Sequence, residues 1–370
     1  MKYSVIADAL FLPFRRSMQN VERTFAQSGE KIAKRMNITK HRVPSLSGIF
    51  SMSDLSIFCD NAIEANWFKA LHPQFAKAGV TTIKQRGGNP PLIDDLISYD
   101  RPDIILVEGE TPILVIEKTR EVPTGHNVGQ RVARLVRAVE LSIPTIKFFP
   151  FDAKKHGKYA AICRLNARLL LAFERMWEIH DTPIVAINWI ADKHGELISD
   201  GTEDDEMKAL MKQFVSSGFD GHASFAQTRK NMLREYEKRI DQKKQYAAPP
   251  PSVTFEKTTS FFASREKLLS PQQLRALRAK DGSVIYKMVM TEEKCRREDP
   301  YTGTQFIYDY IYCRKGKSPA SKSKNLILHF PAIRKEVWEK KNPDDRSRKS
   351  CNWYLTANCL VFKDGCIYLR

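Results

Sequence analysis

Two neighbouring apolar runs, separated by turn-forming residues, predict a β-hairpin near residue 110. The runs at 103–108 and 112–119 are rich in Ile, Leu and Val, which are typical of strands. Gly, Thr and Pro between the runs favour a tight turn. The pattern therefore predicts two antiparallel strands joined by a short connection.

The register of this hairpin would bring two acidic residues together. A turn centred on Glu110 places Glu108 opposite Pro112 and Asp103 opposite Glu117. Directly opposed side chains in an antiparallel pair have Cβ atoms roughly 4.5–5.5 Å apart. Two carboxylates at that distance repel each other unless a cation or a shared proton lies between them, so the pair indicates a divalent-metal site. The alternative is that both are ordinary charged strand ends. A one-residue slip in register would also put them on opposite faces.

The segments around the hairpin alternate between helical and strand patterns. Apolar residues at helical spacing predict helices over 60–79, 128–142 and about 158–180. Pro73 would break or kink the first of them. Short apolar runs predict further strands at 144–151 and 182–190. This order predicts an α/β fold with a central mixed β-sheet flanked by helices on both faces.

The character of the chain changes beyond about residue 200. Segment 202–245 is highly charged with a helical pattern, and the stretch AAPPPSV at 247–253 resembles a linker. Strand patterns follow at 284–290, 306–313, 325–330 and 359–370. We predict an N-terminal domain over 1–245, with an N-terminal helical segment and its core at about 60–195, a linker over 246–254, and an additional C-terminal α+β region over 255–370.

The net charge of the chain limits which kind of molecule it is expected to bind. Lys and Arg total 60 against 43 acidic residues, a net charge of +17, and such an excess favours nucleic acid or an anionic membrane surface. No run approaches the ~20 apolar residues that span a bilayer, and Asp8 interrupts the apolar N-terminal run, with no clear cleavage site after it. The pattern predicts a cytoplasmic protein with no membrane partner. Seven cysteines without a C-x-x-C pair argue against a disulfide scaffold and structural zinc.

The hairpin also carries a motif. Pro102 and Asp103 open the first strand, and Glu117 lies about a dozen residues later, two positions before Thr119. This arrangement, followed by a helix and a strand, resembles the core of PD-(D/E)XK nucleases, which include type II restriction endonucleases. The resemblance covers residues 60–195. One position departs from it, because Thr119 stands where the family usually has lysine.

The resemblance implies a catalytic magnesium site. Asp103 and Glu117, with the main-chain carbonyl of Ile116, would hold Mg²⁺, which lowers the pKa of a bound water and orients it for attack on phosphorus. Glu64, from the first predicted helix, would complete the shell, as an acid there does in many relatives. The alternative for Glu64 is an ordinary solvated helix residue.

The residue that replaces the usual lysine is left open. Lys118 is the first candidate, although strand alternation points it away from Glu117 unless a bulge intervenes. His126, in a predicted loop, is the second, with an exposed hydrogen-bonding group as the alternative. The predicted catalytic residues are thus Asp103, Glu117, Lys118, Thr119 and Glu64.

Basic and polar residues outside the motif are candidates for DNA contact. Arg131, Arg134 and Arg137 recur at three-residue spacing opposite the apolar face of helix 128–142, and together with Gln130 they would follow a DNA backbone. The alternative is a solvated helix face. The C-terminal region offers side chains suited to base-edge readout: Arg296, Arg297, Thr302 and Gln305. The alternative is that they form a polar turn before a strand.

Motif and charge together predict a Mg²⁺-dependent endonuclease that cleaves double-stranded DNA, with sequence-specific, restriction-like cleavage as the leading case. The C-terminal region would then be a DNA-recognition domain. Two alternatives stay open: a non-enzymatic DNA-binding protein with a degenerate nuclease fold, which the missing lysine favours, and a nuclease directed at RNA. We expect a homodimer, because cutting both strands of a palindrome needs two active sites related by a two-fold axis.

Overall fold

The described part of the chain is an α/β fold built on mixed β-sheets. The structure is a computed structural model, and it describes residues 54–120, 122–123, 131–154, 161–242, 253–288, 291–293, 324–340 and 353–369. Helices and strands alternate along most of these residues. The predicted α/β class is therefore confirmed.

The helices and strands have the following bounds. The strands are β1 Leu55–Cys59, β2 Gly79–Thr82, β3 Ile104–Glu108, β4 Thr111–Lys118, β5 Thr145–Phe149, β6 Asp152–Lys154, β7 Ile162–Arg164, β8 Ile184–Asn188, β9 Val253–Lys257, β10 Gly282–Lys287, β11 Asn325–Phe330, β12 Cys359–Phe362 and β13 Cys366–Tyr368. The helices are α1 Ala62–Ala70, α2 Pro73–Ala76, α3 Pro91–Leu96, α4 Val132–Glu140, α5 Arg168–His180, α6 Asp205–Ser216, α7 Gly221–Gln242, α8 Thr258–Phe262, α9 Pro271–Arg278 and α10 Lys335–Lys340. Short 3₁₀ helices lie at Glu266–Leu268 and Trp353–Thr356.

The first sheet has the strand order β2-β1-β3-β4-β5-β8. Its centre is an antiparallel run of β1, β3 and β4, to which β5 and then β8 add in parallel. Because β4, β5 and β8 run in the same direction, their carboxyl ends meet at one edge of the sheet. The second sheet has the order β13-β12-β11-β10-β9, and β6 pairs with β7 in a separate hairpin.

The β3–β4 hairpin differs from its predicted register near the turn. Glu108 pairs with Thr111 and not with Pro112. Ile113 is the extra residue of a β-bulge, next to a proline that has no N–H to give to the ladder. Gly109 begins the two-residue turn with a φ of +59°, a left-handed value that glycine adopts at no steric cost.

Beyond the bulge, the predicted pairing of the two strands is restored. The extra residue in β4 compensates for a turn that is one residue shorter than predicted. Ile104 lies opposite Ile116, so the next positions along the two strands are Asp103 and Glu117. The two acids therefore meet at the end of the hairpin, as the sequence predicted.

Two predicted helices have different bounds in the structure. Segment 60–79 is divided into α1 and α2, because Pro73 lacks an N–H and is tolerated only in the first turn of a helix. The helix predicted over about 158–180 begins only at Arg168, whose N–H donates to the Asn166 side chain. Strand β7 precedes it, since a short apolar pattern alone does not separate a strand from a helix.

One hydrophobic cluster continues from the first sheet to the second. It includes the predicted apolar face of α4 and side chains from β5 and β11. The 3₁₀ helix Trp353–Thr356 packs against α4. The predicted strand 306–313 and most of the predicted linker lie outside the described residues, and the division of the chain into two domains stays a prediction.

Candidate active site

Asp103 and Glu117 lie together at the end of the β3–β4 hairpin. Both side chains are buried, with 5% and 0% of their surface exposed. Asp103 Oδ2 accepts the main-chain N–H of Lys118 at 2.8 Å, which ties the first acid to the strand that carries the second. The pair predicted from the hairpin is thus assembled in a position shielded from water.

A guanidinium group from α4 lies between the two acids. Arg134 Nη1 donates to Glu117 Oε2 at 2.6 Å and lies 3.9 Å from Asp103 Oδ1. The Nε atom of the same side chain donates to Asp100 Oδ2 at 2.6 Å. Arg134 is 5% exposed, so these contacts are made away from water. The cation that two close acids require is here supplied by the protein itself.

The prediction that Arg131, Arg134 and Arg137 all face outward is wrong for Arg134. Its side chain faces the acids and not solvent. Arg131 Nε lies 3.6 Å from Glu117 Oε1, and its side chain stays 21% exposed. Arg137 lies further along α4 and pairs with Asp95 of α3. Periodicity alone missed the inward direction, because an arginine side chain is long enough to reach inward from the margin of an apolar face. DNA contact by the arginines stays a prediction.

Three basic side chains hold Glu117 in its charged form. Burial by itself would raise the pKa of this carboxyl, but the charges of Arg134, Lys147 and Arg131 outweigh burial and lower the pKa to about 2. For Arg134, burial by itself would lower the pKa, because it disfavours the charged form. The acids around Arg134, led by Asp100, outweigh burial and raise that pKa above its ordinary value. Glu117 and Arg134 are therefore both ionised at neutral pH.

A lysine that the motif did not indicate completes the cluster. Lys147 lies in β5 at the position paired with Glu117, and its side chain is fully buried. Its Nζ donates to Thr119 Oγ1 at 3.3 Å, and this hydroxyl donates to Glu117 Oε1 at 3.2 Å. Burial lowers the pKa of Lys147 to about 8, although the negative charge of Glu117 opposes the shift. A lysine ammonium therefore reaches the Thr119 position from the neighbouring strand.

The sequence does contain a signal for Lys147. It is the only charged residue in the predicted strand PTIKFFPF, and lysine is almost never fully buried unless it is paired. A lone lysine in a strand expected to be buried therefore indicates an acid nearby. Which acid it meets depends on the neighbouring strand, and the motif does not give that neighbour.

Lys118, the first predicted substitute for the missing lysine, points to the opposite face of the sheet. Its Nζ lies 4.1 Å from the ring centroid of Trp67 and 4.8 Å from that of Trp189, as in cation–π contacts. Burial lowers the pKa of Lys118 to about 8, while the charge of Asp204 opposes the shift. The main-chain N–H of Lys118, and not its ammonium, makes the contact to Asp103.

Glu64 lies near Lys118 at the start of α1. Its N–H donates to the side chain of the N-cap residue Asn61 at 3.1 Å. The negative charge of Glu64 opposes the burial that lowers the pKa of Lys118, and it adds to the burial that raises the pKa of Cys59. A role for Glu64 in metal binding stays a prediction.

Several predicted site residues cannot be placed against this cluster, because they lie outside the described residues. They are His126, Gln130, Arg296, Arg297, Thr302 and Gln305.

Asp103 and Glu117 both carry carboxylate oxygens, which are suited to a cation. Mg²⁺ is commonly held by one or two carboxylates, with waters and phosphate oxygens completing its shell. Across the described residues, no group of three or more His, Cys, Asp or Glu side chains is arranged to hold a metal. Arg134 Nη1 now takes the position between the acids. The two acids are ligands of the type that Mg²⁺ takes, and magnesium binding by them stays a prediction.

Comparisons of the chain with protein-family models, with curated proteins and with solved structures gave no match. Within the residues that the structure describes, no helix has the length and apolar character needed to cross a membrane.

Proposed function

We propose that this chain is a Mg²⁺-dependent endonuclease that hydrolyses phosphodiester bonds in double-stranded DNA. The observation that carries the proposal is the position of Lys147 Nζ, 3.3 Å from Thr119 Oγ1 and beside the paired acids. Thr119 stands where PD-(D/E)XK nucleases usually have lysine, so Lys147 supplies an ammonium at that place from β5. Two acids and one lysine then lie at one site.

The order of the strands supports a nuclease core of this family. The acids lie at the end of an antiparallel hairpin, and helix α4 and the parallel strand β5 follow it. This is the helix and strand order that the motif leads one to expect. We therefore propose that the first sheet is a restriction-endonuclease-like core.

Each side chain of the cluster has a separate role in this proposal. Asp103 and Glu117 would hold the metal ion, which when bound would supply an activated water and neutralise charge on the phosphate. Lys147 stabilises the negative charge that develops as the water attacks, and Thr119 holds its ammonium in place. The water oxygen bonds to phosphorus and releases its proton to solvent, and the bridging ester oxygen leaves with its electron pair and takes up a proton.

Charge supports DNA as the substrate. The net charge of +17 favours a polyanion. Arg131 is partly exposed beside Glu117, so its guanidinium can contact a phosphate that enters the site. Symmetric cutting of both strands needs two active sites, and we therefore propose a homodimer that cleaves in a restriction-like manner.

DNA cleavage tests the proposal directly. Wild-type protein with Mg²⁺ is expected to convert plasmid and genomic DNA into discrete fragments, and EDTA is expected to stop the reaction. Asp103→Asn should leave the DNA intact, because it removes a metal-binding charge with little change in volume. Glu110→Gln, an exposed acid in the turn of the same hairpin, is the matched control and should stay active. DNA left intact by the wild type with both Mg²⁺ and Mn²⁺ would contradict the proposal.

A second candidate function is DNA binding without cleavage. It is favoured by Arg134, whose charge balances the buried acids without any metal. Such a protein would bind DNA with an affinity that falls steeply as salt rises, and it would leave the DNA uncut. Mobility-shift measurements at several salt concentrations, run beside the cleavage assay, separate the two functions.

A further inference from the structure

We infer that Arg134 is an internal cation that occupies the metal position between Asp103 and Glu117, so that this guanidinium and a divalent ion exclude one another. The inference rests on the proposed function for its metal. It adds a control step to that function, because the site becomes competent only when Arg134 has withdrawn.

The contacts of Arg134 are those of a bridging cation. One nitrogen, Nη1, lies 2.6 Å from Glu117 and 3.9 Å from Asp103. A divalent ion bound to both acids would have to lie within a few ångströms of that nitrogen. Like charges repel strongly in a buried, poorly solvated position. The pair of acids can therefore hold the guanidinium or the ion, but not both.

Asp100 gives Arg134 an anchor that does not involve the proposed metal ligands. Arg134 Nε donates to Asp100 Oδ2 at 2.6 Å, and Asp100 Oδ1 accepts the N–H of Arg101 at 2.8 Å. Asp100 is also buried. Arg134 Nη2 also lies 2.5 Å from Asp100 Oδ2, so the planar guanidinium has to pivot about Asp100 as one unit for Nη1 to leave Glu117. Glu117 then keeps the charges of Lys147 and Arg131, and the incoming ion replaces the charge of Arg134.

The displaced guanidinium would have a partner in the proposed substrate. A guanidinium forms strong paired hydrogen bonds with phosphate oxygens. A divalent ion that moves Arg134 away from Glu117 thus makes it available to a phosphate at the same site. Metal and DNA phosphate are then expected to bind cooperatively, each favouring the position of Arg134 that the other needs.

Divalent-ion binding to the full chain, without DNA, tests the inference. Mn²⁺ affinity is measured by calorimetry on EDTA-treated protein at constant ionic strength. Arg134→Gln, which removes the charge, is expected to bind Mn²⁺ about 5–150-fold more tightly than wild type, the range typical of coupled sites. Arg134→Lys, the matched control, keeps a cation and should stay nearer to wild type. Adding Glu117→Gln to Arg134→Gln should abolish the tight binding.

Stability supplies a second measurement. Arg134→Gln leaves buried acids without their cation, so its melting temperature in EDTA should fall below that of wild type. Mn²⁺ should raise the melting temperature of this variant by more than it raises that of wild type. If the single variant fails to fold, the double variant Asp100→Asn, Arg134→Gln removes one charge of each sign and is measured in its place.

The inference is overturned if Arg134→Gln, or the double variant measured in its place, binds Mn²⁺ no more tightly than wild type does. If wild type cleaves DNA in that case, the proposed nuclease stands and Arg134 is a permanent structural pair. Tighter Mn²⁺ binding by the variants, with no cleavage by wild type, would keep the inference and remove the proposed nuclease. The two failures are therefore distinguishable.

Discussion

Lys147 and Lys118 are two lysines whose pKa values burial lowers to about 8, yet they have different surroundings. Lys147 contacts Thr119 beside Glu117, whereas the ammonium of Lys118 lies over aromatic rings on the other face of the sheet. A lowered pKa alone therefore does not identify the lysine of a site. The position of the ammonium relative to the acids does.

This difference gives a prediction for the two lysines. Lys147→Met is expected to lower the cleavage rate about 10²–10³-fold, the usual loss when one charge-stabilising group is removed. DNA binding should change less than the cleavage rate, because Lys147 is proposed to act on charge that develops only in the transition state. Lys118→Met should keep most of the activity. The measurement is single-turnover cleavage, with circular dichroism to show that both variants are folded.

The Lys118 variant also serves as the control for general effects of losing a buried lysine. Equal loss of activity in both variants would point to a folding defect rather than a catalytic role. If only Lys118→Met loses activity, Lys118 and not Lys147 is the catalytic lysine. Its ammonium would then have to leave the aromatic rings and reach the acids during cleavage.

Residues of the site differ in how far the sequence could predict them. Asp103 and Glu117 were predictable because a hairpin relates them through local spacing. Lys147 was not, since it meets Glu117 only after β5 has added to β4 in parallel. Arg134 was placed on the wrong side of its helix, because periodicity describes where Cα atoms lie and not where a long side chain ends.

At the scale of elements, the sequence predicted that a hairpin and a following helix exist, but it did not predict the bulge or the length of the turn. The apolar runs gave β3, β4 and α4, but the bulge at Ile113 and the shorter turn were not predictable from a count of positions. These two deviations compensate each other, so the acids still meet. The helix predicted over about 158–180 was wrong at its start, where residues 162–164 form β7.

The turn of the hairpin is expected to be sensitive to its glycine. Gly109 has a φ of +59°, and an added Cβ there would meet nothing within 4 Å. Gly109→Val should therefore destabilise the protein through backbone strain alone, by about 1–2 kcal/mol. Gly79→Val is the matched control, because Gly79 also has open space but no left-handed φ. Urea denaturation of the two variants measures the difference.

Gly79→Val should leave stability within about 0.5 kcal/mol of wild type, as most exposed substitutions do. A similar loss in both variants would mean that the side chain itself, rather than the left-handed backbone, is the cause. No loss at Gly109 would mean that the turn can adopt a different geometry without cost.

At the scale of the whole molecule, the hydrophobic core does not stop at the boundary that composition suggested. Charge and proline patterns predicted separate regions before and after residues 246–254. One cluster nevertheless joins α4 and β5 with β11 across the described residues. A shared core couples the stability of the elements that line it, because neither side keeps its buried surface if the other unfolds.

The last prediction follows from this shared core. Leu328 lies in β11 and is 1% exposed within the cluster, and Leu328→Ala should cost about 2–5 kcal/mol. If the two sheets unfold as one unit, amide hydrogen exchange in β5 should accelerate as much as exchange in β11. Leu92→Ala, at a half-exposed position in α3, is the control and should change neither. Faster exchange in β11 with β5 unaffected would instead favour two independently stable domains, and the boundary near residue 250 would then separate the proposed nuclease core from the proposed DNA-recognition region.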